Sequence, residues 1–384
     1  MRKAVAIYLS FCLWLFLAAG LVSFVDDCVG LATGSSRLIV VSATVSIASL
    51  LLTLLAYLLM GLTPVVPKRL VLPLTFFCGI ALLLTLPLLI YLPHRIREAD
   101  CLLSVSQVIL GIGLAARMGG FKPRWCLVDE KQLGDRWFSF VNTLAFLGAN
   151  VLIVVPAALV YSILCLALAI SHYSDGFLAL RPSGLCVQAR KYVRPDGKSV
   201  ELVPMIHIGD AGFYSTVSRS FPTNSLILME GVTDRRSLLT NEISYKRMAK
   251  SLGLSEQEDK FAPANGDLVF ADVDVAQFNT NTIGFLNLVM LIHSQGLNPR
   301  TVRALFDYTP PPHFEDLLID DLLRKRNQHI LDEVHARLPQ SDCVVLPWGV
   351  AHMPGLARQI QKDGFRPDSA HNYVVIRFFA KKTP

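Results

Sequence analysis

Long apolar runs in the first 172 residues constrain the fold of this chain more than any other feature. A transmembrane helix needs about 20 consecutive, mostly apolar residues. Four runs of about that length or more occur at residues 4–25, 38–62, 70–92 and 143–170, and a shorter one at residues 101–116. The sequence therefore predicts a multi-span helical membrane domain over residues 1–172, with about five spans.

The run at residues 101–116 is the weakest of the five. It is short for a span and contains Ser104, Ser106 and Gln107. A thin span, a re-entrant segment and an interfacial helix are all compatible with such a run.

Positive charge beside the runs indicates their orientation. Basic clusters lie at residues 2–3 and 68–69, and a loop rich in Lys and Arg follows at residues 117–136. If the fourth run crosses, all three lie on one side of the bilayer, as the positive-inside rule prefers. Five spans place the C-terminal domain outside the cytoplasm, whereas four would leave it inside. We expect five spans and an extracytoplasmic domain.

Charged residues become frequent after about residue 172, although they make up only 17% of the whole chain. Residues 175–384 have the length of one globular domain and can bury a core of their own. The formal net charge is +6, but its Lys and Arg are dispersed or lie beside the spans, so nucleic acid is not an expected partner.

The three firmest spans contain no acidic or basic residue inside them, and such residues mark ion and proton pathways. A transporter is therefore not supported. The lipid bilayer is the expected partner of the spans, which are interpreted as an anchor, and self-association into a homo-oligomer stays open.

The 8 cysteines do not form a disulfide framework in a chain of this length. Cys186 and Cys343 are the two in the C-terminal half. Whether they pair depends on an oxidising compartment and on a Cα separation that a sequence does not supply.

Short β-rich runs alternate with helical segments in the C-terminal half. The runs are at residues 185–193, 200–206, 226–229, 268–270 and 343–347, and the clearest helical segment is at residues 313–338. A turn sequence at residues 194–197 predicts that the first two runs form a hairpin. The alternation predicts a soluble α/β domain with a largely parallel central sheet, whose ligand site lies at the carboxyl ends of the strands.

Polar residues follow four of these predicted strands, at the edge where a ligand site is expected. They are His207, Glu230, Asp272 and His352. Two imidazoles and two carboxylates suit a divalent metal or acid–base catalysis. Each also has a structural interpretation, because the histidines can be satisfied within the fold and the carboxylates can cap a following turn. Gly349 would let the chain turn sharply after its strand, although an ordinary turn glycine is equally compatible.

Several stretches of the C-terminal half resemble one protein superfamily. They are Met205-Ile206-His207-Ile208-Gly209-Asp210, Leu228-Met229-Glu230-Gly231, Arg326-Asn327, the run from Gly349 to Leu356 and Asp363-Gly364-Phe365. Their order and content resemble the TraB/PrgY/GumN superfamily, which includes the TIKI metalloproteases and is related to the erythromycin esterase and ChaN-like proteins. The resemblance covers residues 185–379 and leaves the membrane half unexplained. The family has two GxxH motifs, and here Pro204 stands where the first glycine is expected.

The resemblance implies roles for individual residues. His207 and His352 would be metal ligands or catalytic imidazoles, and Glu230 would be a ligand or general base. The implied cofactor is a divalent metal, for which Zn, Mn and Co suit the mixed ligands comparably well. Arg326 would bind an oxyanion or hold a carboxylate of the site.

Four more residues are expected around this centre: Asp210, Tyr214, Asp272 and Gly349. The first two follow His207 closely and would orient its ring, although Tyr214 could equally be a packed aromatic.

The resemblance implies a membrane-anchored hydrolase, foremost a metal-dependent peptidase of the TIKI type acting on a peptide or small-molecule substrate. One alternative is a regulator of the pheromone-shutdown type, which binds a peptide or ligand without cleaving it. Another is a haem-binding or metal-binding protein, as in the ChaN-like relatives.

Overall fold

The structure is a computed structural model, which describes residues 1–35, 38–119, 125–240 and 245–379. The chain divides into two compact units, Met1–Leu166 and Ala167–Pro384. The first is helical, and the second is an α/β unit with a mixed, largely parallel sheet, which confirms the predicted fold class. Residues 120–124 of the predicted basic loop lie outside the described residues.

The apolar runs of the sequence form helices. These are α1 (Arg2–Thr33), α2 (Ile39–Leu62), α3 (Lys68–Tyr91), α4 (Ile96–Gly119), α5 (Phe140–Ala149) and α6 (Val155–Tyr173). A 3-10 turn at Pro93–Arg95 leads into α4, and a π turn at Asn150–Val154 joins α5 to α6. Within the described residues, five helical stretches are long and apolar enough to cross a membrane. The chain is therefore a membrane protein by the length and composition of its helices.

The weakest predicted span belongs to a long helix. Pro93–Gly119 forms one helical stretch of 27 residues, which exceeds the run of residues 101–116 at both ends. Polar side chains inside it bond within the helical unit: Ser106 donates to the carbonyl of Leu102, and Gln107 donates to the carbonyl of Phe16. The serine and glutamine are therefore compatible with a full-length helix.

The first helix extends beyond the predicted end of its span at residue 25. Its acidic pair does not end the helix, because both carboxylates have partners. Asp26 accepts a hydrogen bond from the Leu38 amide at 2.9 Å, and Asp27 accepts one from the Ser104 hydroxyl at 2.9 Å. The helix ends only before Gly34, whose φ of 72° is the left-handed conformation that glycine adopts readily.

Glycines allow close contact between the membrane helices. A Cβ added at Gly111 of α4 would lie 2.5 Å from a methyl carbon of Leu17 in α1. A Cβ added at Gly61 of α2 would lie 2.3 Å from the ring of Phe146 in α5. Small residues at helix contacts are characteristic of membrane bundles, where dispersion between closely packed helices replaces the hydrophobic effect.

Substitution of Gly111 by valine tests this packing. We expect Gly111→Val to destabilise the helical unit by about 1–3 kcal/mol, because the added methyl groups overlap Leu17. Gly113→Val is the matched control, since a Cβ at Gly113 meets no atom within 4 Å. Thermal unfolding of the full chain in detergent measures both. Equal midpoints for the two variants would contradict the close α1–α4 contact.

Nine short or medium strands follow in the second unit. They are β1 (Leu178–Arg181), β2 (Gly184–Val193), β3 (Ser199–Met205), β4 (Ile208–Gly209), β5 (Ser225–Met229), β6 (Ser255–Glu256), β7 (Asp267–Phe270), β8 (Cys343–Gly349) and β9 (Arg366–Arg377). All nine strands lie within residues 167–240 and 245–379, the described part of this unit.

The main sheet has the order β9-β2-β3-β8-β5-β7, and β1 pairs with the first half of β2. The predicted hairpin is present as the antiparallel pair β2–β3. Strands β3, β8, β5 and β7 run parallel to one another, so their carboxyl ends meet at one edge. Strands β4 and β6 form a separate two-stranded sheet.

The helices of this unit are α7 (Ala211–Ser220), α8 (Lys246–Leu252), α9 (Gln257–Lys260), α10 (Thr280–Gln295), α11 (Pro299–Asp307), α12 (Phe314–Ile319), α13 (Lys325–Arg337) and α14 (Met353–Lys362). The single helix predicted for residues 313–338 is therefore α12 and α13, joined by a π turn at Asp320–Arg324.

Side chains of β8 alternate between two buried layers, as the period of a strand requires. Val344 and Leu346 pack in the cluster that contains residues of α13 and α14, such as Ile330 and Leu356. Val345 packs in the cluster on the other face, which contains residues of α7. The central strand is therefore covered on both sides, which explains its continuous apolar sequence.

The open question about Cys186 and Cys343 is answered by topology. Both thiols are free, and the residues lie on β2 and β8 with β3 between these strands. Two strand spacings are about 9.5 Å, which exceeds the Cα separation of a disulfide. The two cysteines therefore do not pair in this fold.

Candidate functional site

The guanidinium group of Arg326 joins the carboxyl ends of two parallel strands. Its Nη2 donates to Oε1 of Glu230, which follows β5, at 2.6 Å. Its Nε and Nη2 also donate to the two carboxylate oxygens of Asp272, which follows β7, at 3.1 and 2.6 Å. The sequence left open whether Arg326 binds an oxyanion or holds a carboxylate of the site. In the structure it holds two.

The charged groups of this network are shielded from solvent. The side chains of Arg326, Glu230 and Asp272 are 11%, 18% and 0% exposed. Asp272 accepts two further bonds from the backbone N–H groups of Gly231 and Val273. A buried ion pair is stable only when its remaining polar atoms are also bonded, and removal of one partner commonly costs about 3–5 kcal/mol.

Gly349 at the end of β8 lets Glu230 approach the backbone. Its N–H donates to Oε2 of Glu230, and a Cβ at this position would lie 3.2 Å from that oxygen. The φ of Gly349 is −51°, a value open to any residue. The sequence suggested that a glycine is needed here for a sharp turn. In the structure, its lack of a side chain instead leaves space for the Glu230 carboxylate.

His352 lies against the same carboxylate. Its Nδ1 lies 2.7 Å from Oδ1 of Asn327, the residue after Arg326, and its Nε2 lies 3.6 Å from Oε1 of Glu230. With the Asn327 oxygen as acceptor, Nδ1 carries the proton of the neutral ring and the Nε2 lone pair faces Glu230. The lack of a side chain at Gly355 leaves space for Asn327, because a Cβ at position 355 would lie 2.6 Å from Nδ2 of Asn327.

Burial lowers the pKa of His352 to about 4. The negative charge of Glu230 acts in the opposite direction, whereas the positive charge of Arg326 lowers the pKa further. The imidazole is therefore neutral at neutral pH and can accept a proton. The sequence named His352 and Glu230 but gave Asn327 no role, although its position directly after Arg326 was the available signal.

His207 is placed differently from His352. It is exposed, and its ring stacks on Tyr245 with centroids 5.2 Å apart and planes at 8°. Its carbonyl accepts the N–H of Gln257 at 2.8 Å. Glu256 lies beside it on β6. Tyr245 and Glu256 were absent from the predicted site, because a two-residue strand leaves no periodic signal in a sequence.

Asp210 and Tyr214 support the backbone near His207 rather than its ring. Asp210 Oδ2 accepts the N–H of Arg377, which ties the start of α7 to β9. The Tyr214 hydroxyl donates to the carbonyl of Ile206 at 2.7 Å. Both residues therefore fix the loop that carries His207, while the described hydrogen bonds do not include one from either residue to the imidazole.

A cavity of about 720 Å³ opens beside the network. Glu230, Arg326 and His207 contribute polar atoms to its wall. The wall is otherwise mainly apolar, and includes Met229, Val232, Phe261, Leu268 and Phe270. A concave, largely apolar space with a few convergent polar groups is typical of a ligand site.

The expected metal ion does not fit the described donors. Both oxygens of Glu230 already accept hydrogen bonds from Arg326 and Gly349, whereas Nε2 of His352 keeps its lone pair. Across the described ranges, no three His, Cys, Asp or Glu side chains are placed to hold a metal ion. The guanidinium of Arg326 supplies the positive charge that a metal would bring to the two carboxylates.

Comparison of the chain with protein families, with curated proteins and with solved structures finds no match. The resemblance to the TraB/PrgY/GumN superfamily accordingly stays a prediction.

The low pKa of His352 predicts a pH-dependent stability. Its folded-state pKa of about 4 lies below the value of about 6.5 for an unfolded chain. The unfolded state therefore gains a proton first, and the stability contributed by the neutral ring is complete above pH 6.5 and lost as the pH falls towards 4. Across this window we expect a loss of about 3 kcal/mol.

Urea unfolding of the full chain in detergent between pH 4 and 7 measures this loss. His352→Gln should show a flatter profile than the wild type. His371→Gln changes an exposed histidine of β9 and is the matched control. A wild-type profile that His352→Gln leaves unchanged would mean that His352 is not the titrating group.

Proposed function

We propose that the chain is a membrane-anchored hydrolase that cleaves peptide bonds at the carboxyl edge of its parallel sheet. The observation that carries the proposal is the pair of acceptor atoms formed by His352 Nε2 and Glu230 Oε1, 3.6 Å apart. Two acceptors held so close favour a group that donates hydrogen bonds to both. A water molecule is such a group, and Glu230 also lines the cavity of about 720 Å³, which is large enough for a peptide segment.

The chemistry assigned to this pair is acid–base catalysis. The water oxygen attacks the scissile carbonyl carbon while its proton moves to Nε2 of His352, and the resulting imidazolium lies next to the Glu230 carboxylate. The ring then returns the proton to the amine as the carbon–nitrogen bond breaks. Asn327 keeps the ring in one tautomer, and Arg326 and Gly349 hold Glu230 in place. These last three are positioning residues.

The family resemblance supports the same conclusion. The motif residues Glu230, Arg326, Asn327 and His352 come from three separate stretches of sequence and are joined in one network. Their shared location is what a common active site requires. In place of the metal-dependent chemistry of the TIKI type, the proposal assigns the positive charge at the carboxylates to Arg326.

The proposed hydrolase domain lies outside the cytoplasm. Five candidate spans are an odd number, so the two ends of the chain would be on opposite sides of the bilayer. The basic clusters at residues 2–3 and 68–69 favour the cytoplasm for the N-terminus. Secreted or envelope peptides would then be the accessible substrates.

A second candidate is a peptide-binding domain without catalysis. Both oxygens of Glu230 are already bonded, and a pKa of about 4 makes His352 a weak base. These features favour a rigid binding site. In that case the purified wild type would bind peptides and leave them intact.

Substitution of the two acceptor groups tests the catalytic proposal. We expect His352→Gln and Glu230→Gln each to lower kcat by about 100-fold or more, the usual contribution of a positioned acid or base. A library of fluorogenic peptides, applied to the full chain in detergent, gives the measurement.

His371→Gln and Glu315→Gln make the same chemical changes at exposed positions and serve as controls. Peptide cleavage that survives both site substitutions would refute the assignment. Cleavage absent from the wild type, with peptide binding present, would favour the second candidate.

A further inference from the structure

A second, smaller cavity of about 180 Å³ lies next to the main one. Its wall is formed by His207, Tyr245, Glu256, Gln257 and Glu258. Three of these residues also line the main cavity, namely His207, Gln257 and Glu258. A ligand in the main cavity therefore has a side pocket within reach.

Backbone pairing fixes the geometry of the side pocket. Strands β4 and β6 are antiparallel, with Ile208 opposite Glu256. The N–H of Gln257 donates to the carbonyl of His207 at 2.8 Å, and the N–H of Tyr245 donates to Oε1 of Glu256 at 2.7 Å. The Glu256 carboxylate is thus bonded to the backbone of Tyr245, and the backbone of His207 is bonded to that of Gln257.

Glu256 carries an unsatisfied acceptor. The residue is only 4% exposed, and among the described residues its Oε2 has no hydrogen-bond partner. Burial of a carboxylate oxygen without a donor is unfavourable, and such atoms are rare in folded proteins. The oxygen therefore indicates a missing donor, and its negative charge indicates a positively charged one.

We propose that the side pocket binds a cationic nitrogen group of a peptide substrate, an ammonium or a guanidinium, with Glu256 as its counter-ion. Glu258 adds a second negative charge at the wall, and Tyr245, an aromatic residue of the kind that attracts cations, lines the same pocket. A metal ion is disfavoured, because no three ligating side chains among the described residues are placed to hold one.

The proposed side pocket assigns His207 a role different from that of His352. His207 lines both cavities, whereas His352 contacts Glu230 at the end of the sheet. The inference rests on the proposed function, because it assigns Glu256 the recognition of one substrate residue beside the cleavage site. A peptide substrate can supply the cationic nitrogen from two sources, a Lys or Arg side chain or its free amino terminus.

Paired peptides test the proposal on the full chain in detergent. Each pair differs only by lysine or norleucine at one scanned position, and each peptide is made with a free and an acetylated amino terminus. For the wild type we expect a preference in kcat/KM for the cationic member. We expect Glu256→Gln to reduce that preference by about 30-fold, the lower end of the effect found when one partner of a buried charge pair is removed.

The acetylated peptides separate the two sources. A preference that survives acetylation and depends on lysine identifies the side chain, whereas one lost on acetylation identifies the amino terminus. Glu315→Gln is the matched control, since it makes the same change on the exposed surface of α12. An equal lysine-to-norleucine ratio and an equal effect of acetylation in the wild type and Glu256→Gln would overturn the proposal.

Thermal stabilisation by the same peptides gives a test that does not require cleavage. We expect the cationic peptides to raise the unfolding temperature of the wild type and not that of Glu256→Gln. If no peptide is cleaved but this difference is found, the hydrolase proposal fails and the cation pocket stands. If cationic and neutral peptides stabilise both proteins equally, the cation pocket fails whatever the cleavage result.

Discussion

The ion pairs of Arg326 with Glu230 and Asp272 are the interaction on which the candidate site depends. The guanidinium comes from a helix and the two carboxylates from the ends of two strands, so one side chain fixes three elements. Because Glu230 is held in this way, it can also accept the Gly349 N–H and lie beside His352. If Arg326 were removed, two carboxylates would be left near each other with little solvent.

The hydrogen bonds of Glu230 and Asp272 differ from the contacts that carboxylates make in a metal centre. A metal ion requires lone pairs of several side chains to point at one place. In this chain the oxygens of Glu230 and Asp272 point instead at N–H groups of Arg326, Gly349, Gly231 and Val273. Arg326 supplies a positive charge beside both carboxylates, and the neutral ring of His352 lies next to Glu230.

Much of this organisation could be predicted from the sequence. The apolar runs gave the membrane helices, because their length is set by the bilayer. The hairpin and the parallel strands followed from turn residues and apolar runs, and the parallel topology brought Glu230, Asp272 and His352 to one edge.

Other features could not be predicted, because they depend on three-dimensional proximity. No local pattern in the sequence indicates that a two-residue strand places Glu256 next to His207. Nor does one indicate that the missing Cβ of Gly349 leaves space for the Glu230 carboxylate. The extension of α1 to Thr33 depends likewise on the Ser104 hydroxyl and the Leu38 amide, which satisfy its acidic pair.

The measurement that tests the central interaction most directly is a double-mutant cycle on Arg326 and Asp272. Arg326→Met, Asp272→Asn and the double variant are compared with the wild type by urea unfolding of the full chain in detergent. The expected result is a coupling free energy of about 2–3 kcal/mol, as found for side chains in one buried network. A coupling near zero would mean that the two residues contribute independently, and would contradict the network that positions Glu230 and His352.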